Sequence, residues 1–315
     1  MKGNVAAVCA STRKGPKEAV ERGVLRAGHG MEGDVHAGTW HRQVSLLDEE
    51  KIEDMRQRSG MALPPGTFGE NLVCSGFDLT TLGLGRRLRV GPRAVLQVTQ
   101  LGKECHTPCQ IYHKVGECIM PNLGMFTRVR RGGEVEAGAE VATDPALDRH
   151  RYAVITLSDK GAAGKRADAS GAEVCSLLEQ GLDNGKLLER VMLPDDRAAL
   201  EGELVRLCDD EVTDLVVTTG GTGLSPRDVT PDATLAVIDR QIPGMAEAMR
   251  AAGLAFTPHA MLSRAVCGMR GQAVIVNLSG SPKAVREQLD VLLPVLPHAL
   301  QTASGVPMDC ARTDD

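Results

Sequence analysis

The pattern of apolar and polar residues divides this 315-residue chain into two parts of different texture. In the first part, up to about residue 143, short runs rich in β-forming residues are separated by glycines. These runs are residues 43–47, 87–92 and 94–100. Within the second run Leu88 and Val90 alternate with polar neighbours, as in half-buried strands. Frequent glycines and a single candidate helix, at 47–59, predict a β-rich barrel or sandwich.

In the second part, apolar runs alternate with segments of helical period. The runs predict strands over residues 152–157, 187–193, 214–218 and 273–278. The helical segments are 170–181, 196–208, a stretch from about 230, and 283–300. Alternation of strands and helices predicts an α/β domain with a parallel sheet covered by helices. Ligands of such sheets bind at the carboxyl ends of the strands.

A polar, proline-containing segment at 143–151 separates the two parts, and we expect domains over 1–145 and 150–308. Two domains suit a chain of this length. Aromatic residues make up only 2% of the chain, so the predicted cores are aliphatic and base stacking is disfavoured. The net charge of −5 also lacks the basic balance of a protein that binds duplexes. We therefore expect no nucleic-acid partner.

The amino-terminal sequence shows no signal-peptide pattern, and no run approaches the roughly 18 consecutive apolar residues of a membrane span. These observations predict a cytoplasmic protein with no membrane partner. The 9 cysteines are then expected to be thiols, and any special one is reactive or a ligand.

A glycine-rich loop at residues 218–223 follows one predicted strand. Its candidate ligand-binding residues are Thr219, Gly220, Gly221, Thr222 and Gly223. Glycines let the backbone turn sharply and approach a ligand, while loop N–H groups and threonine hydroxyls can donate to phosphate. The loop matches neither a Walker A motif nor Gly-x-Gly-x-x-Gly. Taken alone, a tight turn without a ligand explains it equally well.

An acidic residue, Asp228, comes shortly after this loop. Carboxylates together with phosphate oxygens are the ligands that Mg²⁺ prefers, so Asp228 is a candidate metal ligand. The alternative is that Asp228 caps a helix or pairs with Arg227. Thr230 and Pro231 are predicted to be the N-cap and first residue of the next helix.

Two further loops follow predicted strands. The pair Asp195 and Asp196 follows the strand at 187–193, where capping of the next helix is the simpler explanation. The second loop offers hydroxyls, N–H groups and a lysine to an anion. Its candidate residues are Ser279, Gly280, Ser281 and Lys283. Three such loops at the ends of strands of one predicted sheet favour a common site.

These residues carry a resemblance to the MogA/MoaB family, the molybdopterin-binding domain also found in gephyrin and in plant molybdenum-insertase fusions. The matching segments are 155–159, 193–196, 218–223, 227–234, 242–250, 262–265 and 277–283, in family order. The resemblance implies an α/β domain, commonly a homotrimer, that binds molybdopterin. In the adenylyltransferase branch, ATP and Mg²⁺ react with molybdopterin to give adenylylated molybdopterin and pyrophosphate.

The resemblance also implies roles for individual residues. The family's essential aspartates fall on Asp195 and Asp228, as catalytic residues and Mg²⁺ ligands. Its pterin and phosphate loops fall on Gly220–Gly223 and on residues 279–283, and Ser158 lies in the first matching segment as a cofactor-binding residue. Glu247 matches an acidic position beside the substrate. Some relatives share the fold with weak or absent adenylylation, so a binding-only role is the alternative.

In the first part of the chain, Cys105 has the cationic neighbours Lys103 and His106, which favour the thiolate form. That makes Cys105 a candidate sulfur carrier or metal ligand. A zinc site is the rival, although the spacing matches no standard zinc pattern. Its possible ligands are Cys105, Cys109, Cys118, His106 and His113. We favour a core position for Cys118 and leave Cys109 open, since free cysteines are often small core residues.

Residues 1–143 resemble the MOSC domain, the β-rich module of molybdenum cofactor sulfurases and related reductases. The matching segments are 33–36, 41–43, 69–71 and 102–105. The family cysteine falls on Cys105, and His36, Arg42 and Lys103 fall among the cofactor-binding positions. The chain has no pyridoxal-phosphate aminotransferase domain, so a sulfur donor would be another protein.

The two resemblances both imply molybdopterin, and together they predict a bifunctional enzyme of molybdenum cofactor biosynthesis. It would adenylylate molybdopterin in its second half and bind the cofactor or handle sulfur in its first half. Molybdenum-insertion proteins and molybdoenzymes are its expected partners. The rival hypothesis is a non-catalytic carrier or scaffold for the cofactor.

Overall fold

The computed structural model describes residues 1–103, 105 and 110–306. The chain forms two compact units, of which the first contains Met1–Asp148 with Gly305 and Val306, and the second contains Arg149–Ser304. Among the described residues, no helix is both long and apolar enough to cross a membrane.

In its described residues the first unit consists mainly of strands, with three α-helices and a short 3-10 helix at Leu79–Thr81. The strands are β1 (Lys2–Ala10), β2 (Glu18–Val20), β3 (Arg22–Arg26), β4 (Gly30–Met31), β5 (Val44–Asp48), β6 (Leu72–Ser75), β7 (Arg87–Val90), β8 (Ala94–Leu101), β9 (Met125–Arg131), β10 (Gly133–Glu136) and β11 (Glu140–Thr143). The helices are α1 (Glu49–Ser59), α2 (Gln110–Val115) and α3 (Met120–Leu123).

Seven of these strands close into a barrel, in the order β11-β7-β8-β9-β5-β6-β1, because β1 pairs back onto β11. The β5–β6 pair is parallel, whereas its neighbours are antiparallel. Strand β2 extends the sheet from β1, and β10, β3 and β4 form a separate three-stranded sheet. Leu46, Leu72, Leu88, Leu96 and Val129 are fully buried in one core cluster. The predicted β-rich barrel is confirmed, and its core is aliphatic.

The second unit alternates strands and helices. The strands are β12 (His150–Leu157), β13 (Gly185–Leu193), β14 (Leu215–Thr219), β15 (Arg240–Gln241), β16 (Cys267–Arg270) and β17 (Ala273–Leu278). The helices are α4 (Asp159–Ala162), α5 (Ala169–Gly181), α6 (Arg197–Val205), α7 (Thr230–Val237), α8 (Pro243–Leu254), α9 (Pro282–Leu292) and α10 (Leu296–Ala303).

The strands of this unit form one six-stranded sheet in the order β13-β12-β14-β17-β16-β15. The first four strands are parallel, and β16 and β15 complete the edge as antiparallel strands. Alternate residues of β14 enter different cores, with Val217 in the cluster that contains α5 and α9, and Val216 in the cluster that contains α6. The predicted α/β domain with a mostly parallel sheet is confirmed.

Two helices differ from the sequence-based prediction. The helix expected over 196–208 ends at Val205 and continues as a wider π-type turn over Arg206–Asp210. The helix expected over 283–300 is two helices, α9 and α10, separated around Pro294. A proline lacks the N–H of the helical ladder and clashes with the preceding turn, which explains the break.

Candidate functional site

Four loops of the second unit follow the carboxyl ends of its parallel strands, after Leu157, Leu193, Thr219 and Leu278. Parallel strands bring these ends to one edge of the sheet, where ligands of α/β folds bind. The N–H of Ser158 donates to the carbonyl of Leu193 (2.9 Å), which joins the first two loops directly. Residues from all three loops predicted from the sequence are therefore brought to the same edge.

The glycine-rich loop after β14 is a close backbone crossing. Gly220 and Gly221 have φ angles of 98° and 63°, which strongly favour glycine. A Cβ on Gly220 would lie 2.5 Å from the carbonyl oxygen of Leu157, and one on Gly221 would lie 2.6 Å from the Thr230 hydroxyl. Only glycine fits both positions without displacement of a neighbour.

Thr230 holds this loop instead of capping a helix. The predicted N-cap is wrong, because α7 already includes Thr230 and is preceded by Val229, which makes no side-chain cap. The Thr230 hydroxyl donates to the carbonyl of Gly220 (2.8 Å), and its N–H donates to Gly221 (3.1 Å). The Thr230 hydroxyl thus donates to a carbonyl distant in sequence and does not accept from a nearby helix N–H, and the start of α7 is thereby fixed to the loop.

The glycine-rich loop is also tied to the loop after β17. The Thr219 hydroxyl donates to the carbonyl of Ser279 (2.8 Å). A Cβ on Gly280 would lie 3.2 Å from the Cα of Gly220, so the two backbones are nearly in contact. Gln288 accepts from the N–H of Ser279 (2.9 Å) and donates to its hydroxyl (3.0 Å). The two loops are therefore joined by hydrogen bonds and close backbone contact.

Of the two acidic residues after β13, Asp196 has the structural role. Its carboxylate caps α6 by accepting from the N–H of Ala199 (2.7 Å). Asp195 does not cap α6. Its carboxylate accepts from the N–H of Asp159 (3.3 Å), and its own N–H donates to the carboxylate of Asp159 (3.1 Å). Asp159 in turn pairs with the guanidinium of Arg227. The alternative in which Arg227 pairs with Asp228 does not hold in the structure.

Asp228 belongs to a tight turn and caps no helix. Its carboxylate accepts from the N–H of Ser225 (2.8 Å), and its Oδ2 lies 2.8 Å from the position that a Cβ on Gly223 would take. Arg264 ties both ends of this turn, since its guanidinium donates to the carbonyls of Gly223 (2.9 Å) and Asp228. Arg264 also pairs with Asp232 at 3.0 Å. Sequence reasoning gave Arg264 no role of its own.

The donor set for a divalent cation consists of carboxylates that are incompletely engaged. Asp195 Oδ1 and Asp228 Oδ1 accept no hydrogen bond from the described part of the chain. Within that same part, no three His, Cys, Asp or Glu side chains converge to hold a metal ion. Both aspartates therefore fit Mg²⁺ only as partial ligands, as in sites that bind Mg²⁺ through one or two carboxylates and substrate phosphates.

The remaining predicted residues of this unit take different positions. Ser158 and Ser281 are N-caps, accepting from Gly161 (3.1 Å) and Ala284 (3.2 Å). Lys283 has a side chain that is 78% exposed. Glu247 lies exposed on α8, and it is absent from the lining of the cavity described next.

A cavity of about 260 Å³ adjoins the loops. It is bounded by residues of both loops, of α8, of the segment 257–263 and of α9. These residues are Thr222, Gly223, Met249, Arg250, Gly253, Thr257, His259, Ala260, Leu262, Ser263, Ser279, Ala284, Glu287 and Gln288. Three of the predicted loop residues, Thr222, Gly223 and Ser279, thus line a cavity that was not predicted from the sequence.

The first unit contains two cavities that share Arg42 and Lys103. One, of about 500 Å³, also contains Lys14 and His36. The other, of about 900 Å³, contains the exposed thiol of Cys105. No acidic side chain lines either cavity among the described residues. The predicted residues His36, Arg42, Lys103 and Cys105 are therefore brought together in a cationic site, to which the structure adds Lys14.

Arg42 is held by aromatic side chains. Its guanidinium lies 4.9 Å from the ring centre of Trp40 and 5.8 Å from that of Phe126. Its Nε is buried and has no hydrogen-bond partner among the described residues. The Trp40 indole N–H donates to the carbonyl of His36 (2.7 Å), which connects Arg42 to the His36 loop. An anion in the cavity would meet a guanidinium that is already oriented.

Beneath this site lies a buried charge network that the sequence did not reveal. Lys17 Nζ is 2.8 Å from both carboxylate oxygens of Asp34, which also accepts from the N–H groups of Ser11 and His36. Burial opposes ionisation of Asp34, but hydrogen bonds from His36 and Lys17 hold its pKa well below the usual value. Burial raises the pKa of nearby Glu70 to about 7.

The candidate zinc ligands that the structure describes lie in different environments. Cys118 is partly buried and packs against the core cluster around α1, as expected for a small core residue. His113 is exposed on α2. Cys109 and His106 lie outside the described residues.

Comparisons with known proteins identify both halves. A MOSC domain model matches residues 33–142, and a model described as a probable molybdopterin binding domain matches residues 153–298. The molybdopterin adenylyltransferase of Helicobacter pylori J99 is 38% identical over 152 residues, which are 48% of this chain and 86% of the relative. The molybdopterin adenylyltransferase of Escherichia coli K12 is 44% identical over 140 residues, which are 44% of this chain and 72% of the relative.

A solved structure of the molybdopterin biosynthesis enzyme MoaB from Thermus thermophilus is 44% identical, with a TM-score of 0.47, and covers 51% of this chain and 99% of that one. The family resemblance predicted from the sequence is confirmed by the matches to both family models and to the curated relatives. The chain therefore belongs to the MogA/MoaB-type family of molybdopterin-binding domains, preceded here by a MOSC domain.

Proposed function

We propose that Arg149–Ser304 forms a molybdopterin adenylyltransferase, which transfers the adenylyl group of ATP to molybdopterin and releases pyrophosphate. The observation that carries the proposal is the convergence of the glycine-rich loop, the loop after β17 and two partly engaged aspartates at one edge of the sheet. The names of the relatives from Helicobacter pylori and Escherichia coli support the same activity.

The arrangement suits phosphoryl-transfer chemistry, which asks the protein mainly to position the reactants and stabilise charge. Apart from the N–H groups of Gly220 and Ser279, which are bonded within the protein, the loops at Gly220–Gly223 and at residues 279–281 would offer N–H groups and hydroxyls to phosphate oxygens. Lys283 lies beyond the second loop and is exposed enough to reach a terminal phosphate. We assign these groups to the phosphate of molybdopterin.

Asp195 and Asp228 would hold Mg²⁺, each through the carboxylate oxygen that the chain leaves open. When bound with ATP, Mg²⁺ neutralises charge on the phosphate oxygens. Arg227 is exposed beside Asp228, and it extends the positive charge of this edge once it leaves Asp159.

The decisive experiment measures pyrophosphate release from ATP and Mg²⁺ in the presence and absence of molybdopterin. We expect release that needs both substrates and the metal. Asp228→Asn should abolish turnover and leave molybdopterin binding mostly intact, while Asp239→Asn, which removes an exposed carboxylate distant from the loops in sequence, should behave like wild type. Unchanged turnover in Asp228→Asn would remove Asp228 from the mechanism.

For the MOSC domain we propose binding of the cofactor or transfer of sulfur at Cys105, with Arg42, Lys103, Lys14 and His36 holding its anionic groups. The cationic lining of the two cavities around an exposed thiol supports this role. Cys105→Ser should abolish any persulfide, detected as one added sulfur by mass spectrometry, without changing the melting temperature. If the persulfide remains in this variant, another thiol carries it.

A non-catalytic carrier of the cofactor is the second candidate, supported by the match to a family model described as a probable molybdopterin binding domain. Binding of molybdopterin without any pyrophosphate release would establish it.

With either activity, we propose a cytoplasmic homotrimer whose partners are a sulfur donor, molybdenum-insertion proteins and molybdoenzymes. Light scattering on the full chain tests the trimer.

A further inference from the structure

The cavity of about 260 Å³ beside the two loops is lined by Glu287, whose carboxylate accepts no hydrogen bond from the described residues. Glu287 Oε1 is buried and has no hydrogen-bond partner within the described residues, and the Glu287 side chain is only 13% exposed. The nearest cation, Lys283 Nζ, is 3.8 Å away, beyond hydrogen-bonding distance. A buried acceptor without a partner destabilises the folded state, and more so when it is charged. Because buried polar groups are normally hydrogen-bonded, we expect a bound ligand to donate a hydrogen bond to this carboxylate.

The size of the cavity limits what it can hold. Pockets for complete small-molecule ligands are typically about 300–1,000 Å³, so this one suits a single ring system. Met249, Ala260 and Ala284 give it apolar walls. Thr222 and Ser279 belong both to its lining and to the two loops that we propose to bind phosphate. A ring bound here would therefore leave the phosphate-bearing part of the same ligand at those loops.

The acceptor chemistry distinguishes the two substrates. An ionised carboxylate can only accept hydrogen bonds. The 2-amino-4-oxo edge of a pterin presents an N–H beside an amino group, which are adjacent donors that match a carboxylate. Adenine instead presents its amino group beside a ring nitrogen that accepts, which a carboxylate would repel. Of the two ring systems, Glu287 therefore fits the pterin.

We propose that Glu287 is the residue that selects the pterin ring of molybdopterin, by accepting from its N3–H and 2-amino group in this cavity. The inference rests on the proposed function for the identity of the substrate, but pterin binding can be measured without turnover. Glu287 thereby becomes a specificity-determining residue on α9, the helix that begins directly after the second loop.

The test compares Glu287→Gln and Glu287→Ala with wild type in the full chain. We expect molybdopterin to bind at least about tenfold more weakly in both variants, as for loss of a charged hydrogen bond, with an unchanged KM for ATP. The matched control is Asp290→Asn, which removes an exposed carboxylate from the same helix and should bind molybdopterin like wild type. Equal melting temperatures of Glu287→Gln and wild type establish that the fold is intact.

The outcomes separate this inference from the proposed function. Wild-type affinity for molybdopterin in Glu287→Gln would overturn the inference and leave adenylylation untouched. Equal losses for molybdopterin and ATP would also overturn it, since they would indicate a structural role. Conversely, the variants could bind molybdopterin more weakly while the wild-type chain releases no pyrophosphate. That combination would support the inference and contradict the proposed activity.

Discussion

Lys17 and Asp34 form an ion pair in which neither side chain is exposed to solvent, with the ammonium 2.8 Å from both carboxylate oxygens. The same carboxylate accepts from the backbone of His36, so the pair also fixes a loop that lines the cationic cavity. Removing one partner of a buried pair is much more costly than removing an exposed one, because a charge is left buried and unpaired.

Lys17→Met should lower the free energy of unfolding of the barrel by about 3–5 kcal/mol, measured by chemical denaturation. The matched control is Lys2→Met, which breaks an exposed pair with Glu140 and should cost at most about 1 kcal/mol. Equal effects of the two substitutions would show that burial does not strengthen the dependence on Lys17.

The buried carboxyl of Glu70 should make the stability of the barrel fall as pH rises. Burial raises its pKa from 4.5 to about 7 in the folded state, against the opposing hydrogen bonds from Gly66 and Phe68. Between pH 4.5 and 7 the folded state keeps a proton on Glu70 that the unfolded state has released. The stabilisation is therefore complete below about pH 4.5 and is lost as the pH rises to 7. The loss in the free energy of unfolding is about 3 kcal/mol.

Denaturation of wild type and Glu70→Gln across this pH range tests the assignment. Gln cannot titrate, so the variant should have a shallower loss of stability, whatever constant cost its amide adds. Burial also raises the pKa of Asp48 to about 7, and Asp48→Asn should therefore remove a separate part of the slope. A slope that Glu70→Gln leaves unchanged would place the titration elsewhere.

The sequence predicted those features that depend on local patterns. Helix α1, strand β17 and the parallel sheet follow from periodicity, and Gly220 and Gly221 lie in a close crossing as the motif indicated. Partners distant in sequence could not be predicted. Thr230 satisfies a helix-capping rule locally, yet its hydroxyl donates to Gly220, and Lys17 has no local signal that pairs it with Asp34.

The candidate site shows the same division. The adjacent residues Asp195 and Asp196 are equivalent as helix caps in the sequence, and only the structure shows that Asp196 caps α6 while Asp195 contacts Asp159. The cavity around Glu287 is assembled from both loops, α8, the segment 257–263 and α9, so no single stretch of sequence could reveal it.

Arg264 should act as a positioning residue for Asp228. It donates to the carbonyls at both ends of the Gly223–Asp228 turn and is fixed by Asp232. We expect Arg264→Ala to lower kcat for adenylylation on the order of tenfold, since the turn loses charged hydrogen bonds worth about 1.5–3 kcal/mol each before solvent screening. Arg264→Lys should recover little, because one ammonium cannot bridge two carbonyls in the planar geometry of a guanidinium.

Steady-state kinetics with varied Mg²⁺ and ATP measure this effect. Arg240→Ala, which removes an exposed arginine from β15, is the control and should retain wild-type kcat. A purely structural role of Arg264 predicts a lower melting temperature with normal kcat in the fraction that remains folded. That result would show that Arg264 does not position Asp228.

Gly220→Ala should disrupt the site because the substitution meets two independent obstacles. At a φ of 98° a side chain is strained by about 1–3 kcal/mol. In addition, the new Cβ would lie 2.5 Å from the carbonyl oxygen of Leu157, a backbone atom that cannot rotate away. Either the loop or the end of β12 must move, and both contribute to the proposed substrate site. We therefore expect loss of molybdopterin binding together with a lower melting temperature.

Gly244→Ala gives the matched control for this substitution. Gly244 lies in the first turn of α8, and a Cβ there would meet no atom within 4 Å. Alanine has the higher helix propensity, so this variant should be as stable as wild type or more stable by up to about 1 kcal/mol. If Gly220→Ala binds molybdopterin as tightly as Gly244→Ala does, the loop tolerates the displacement, and the crossing of Gly220 with Leu157 is not what shapes the site.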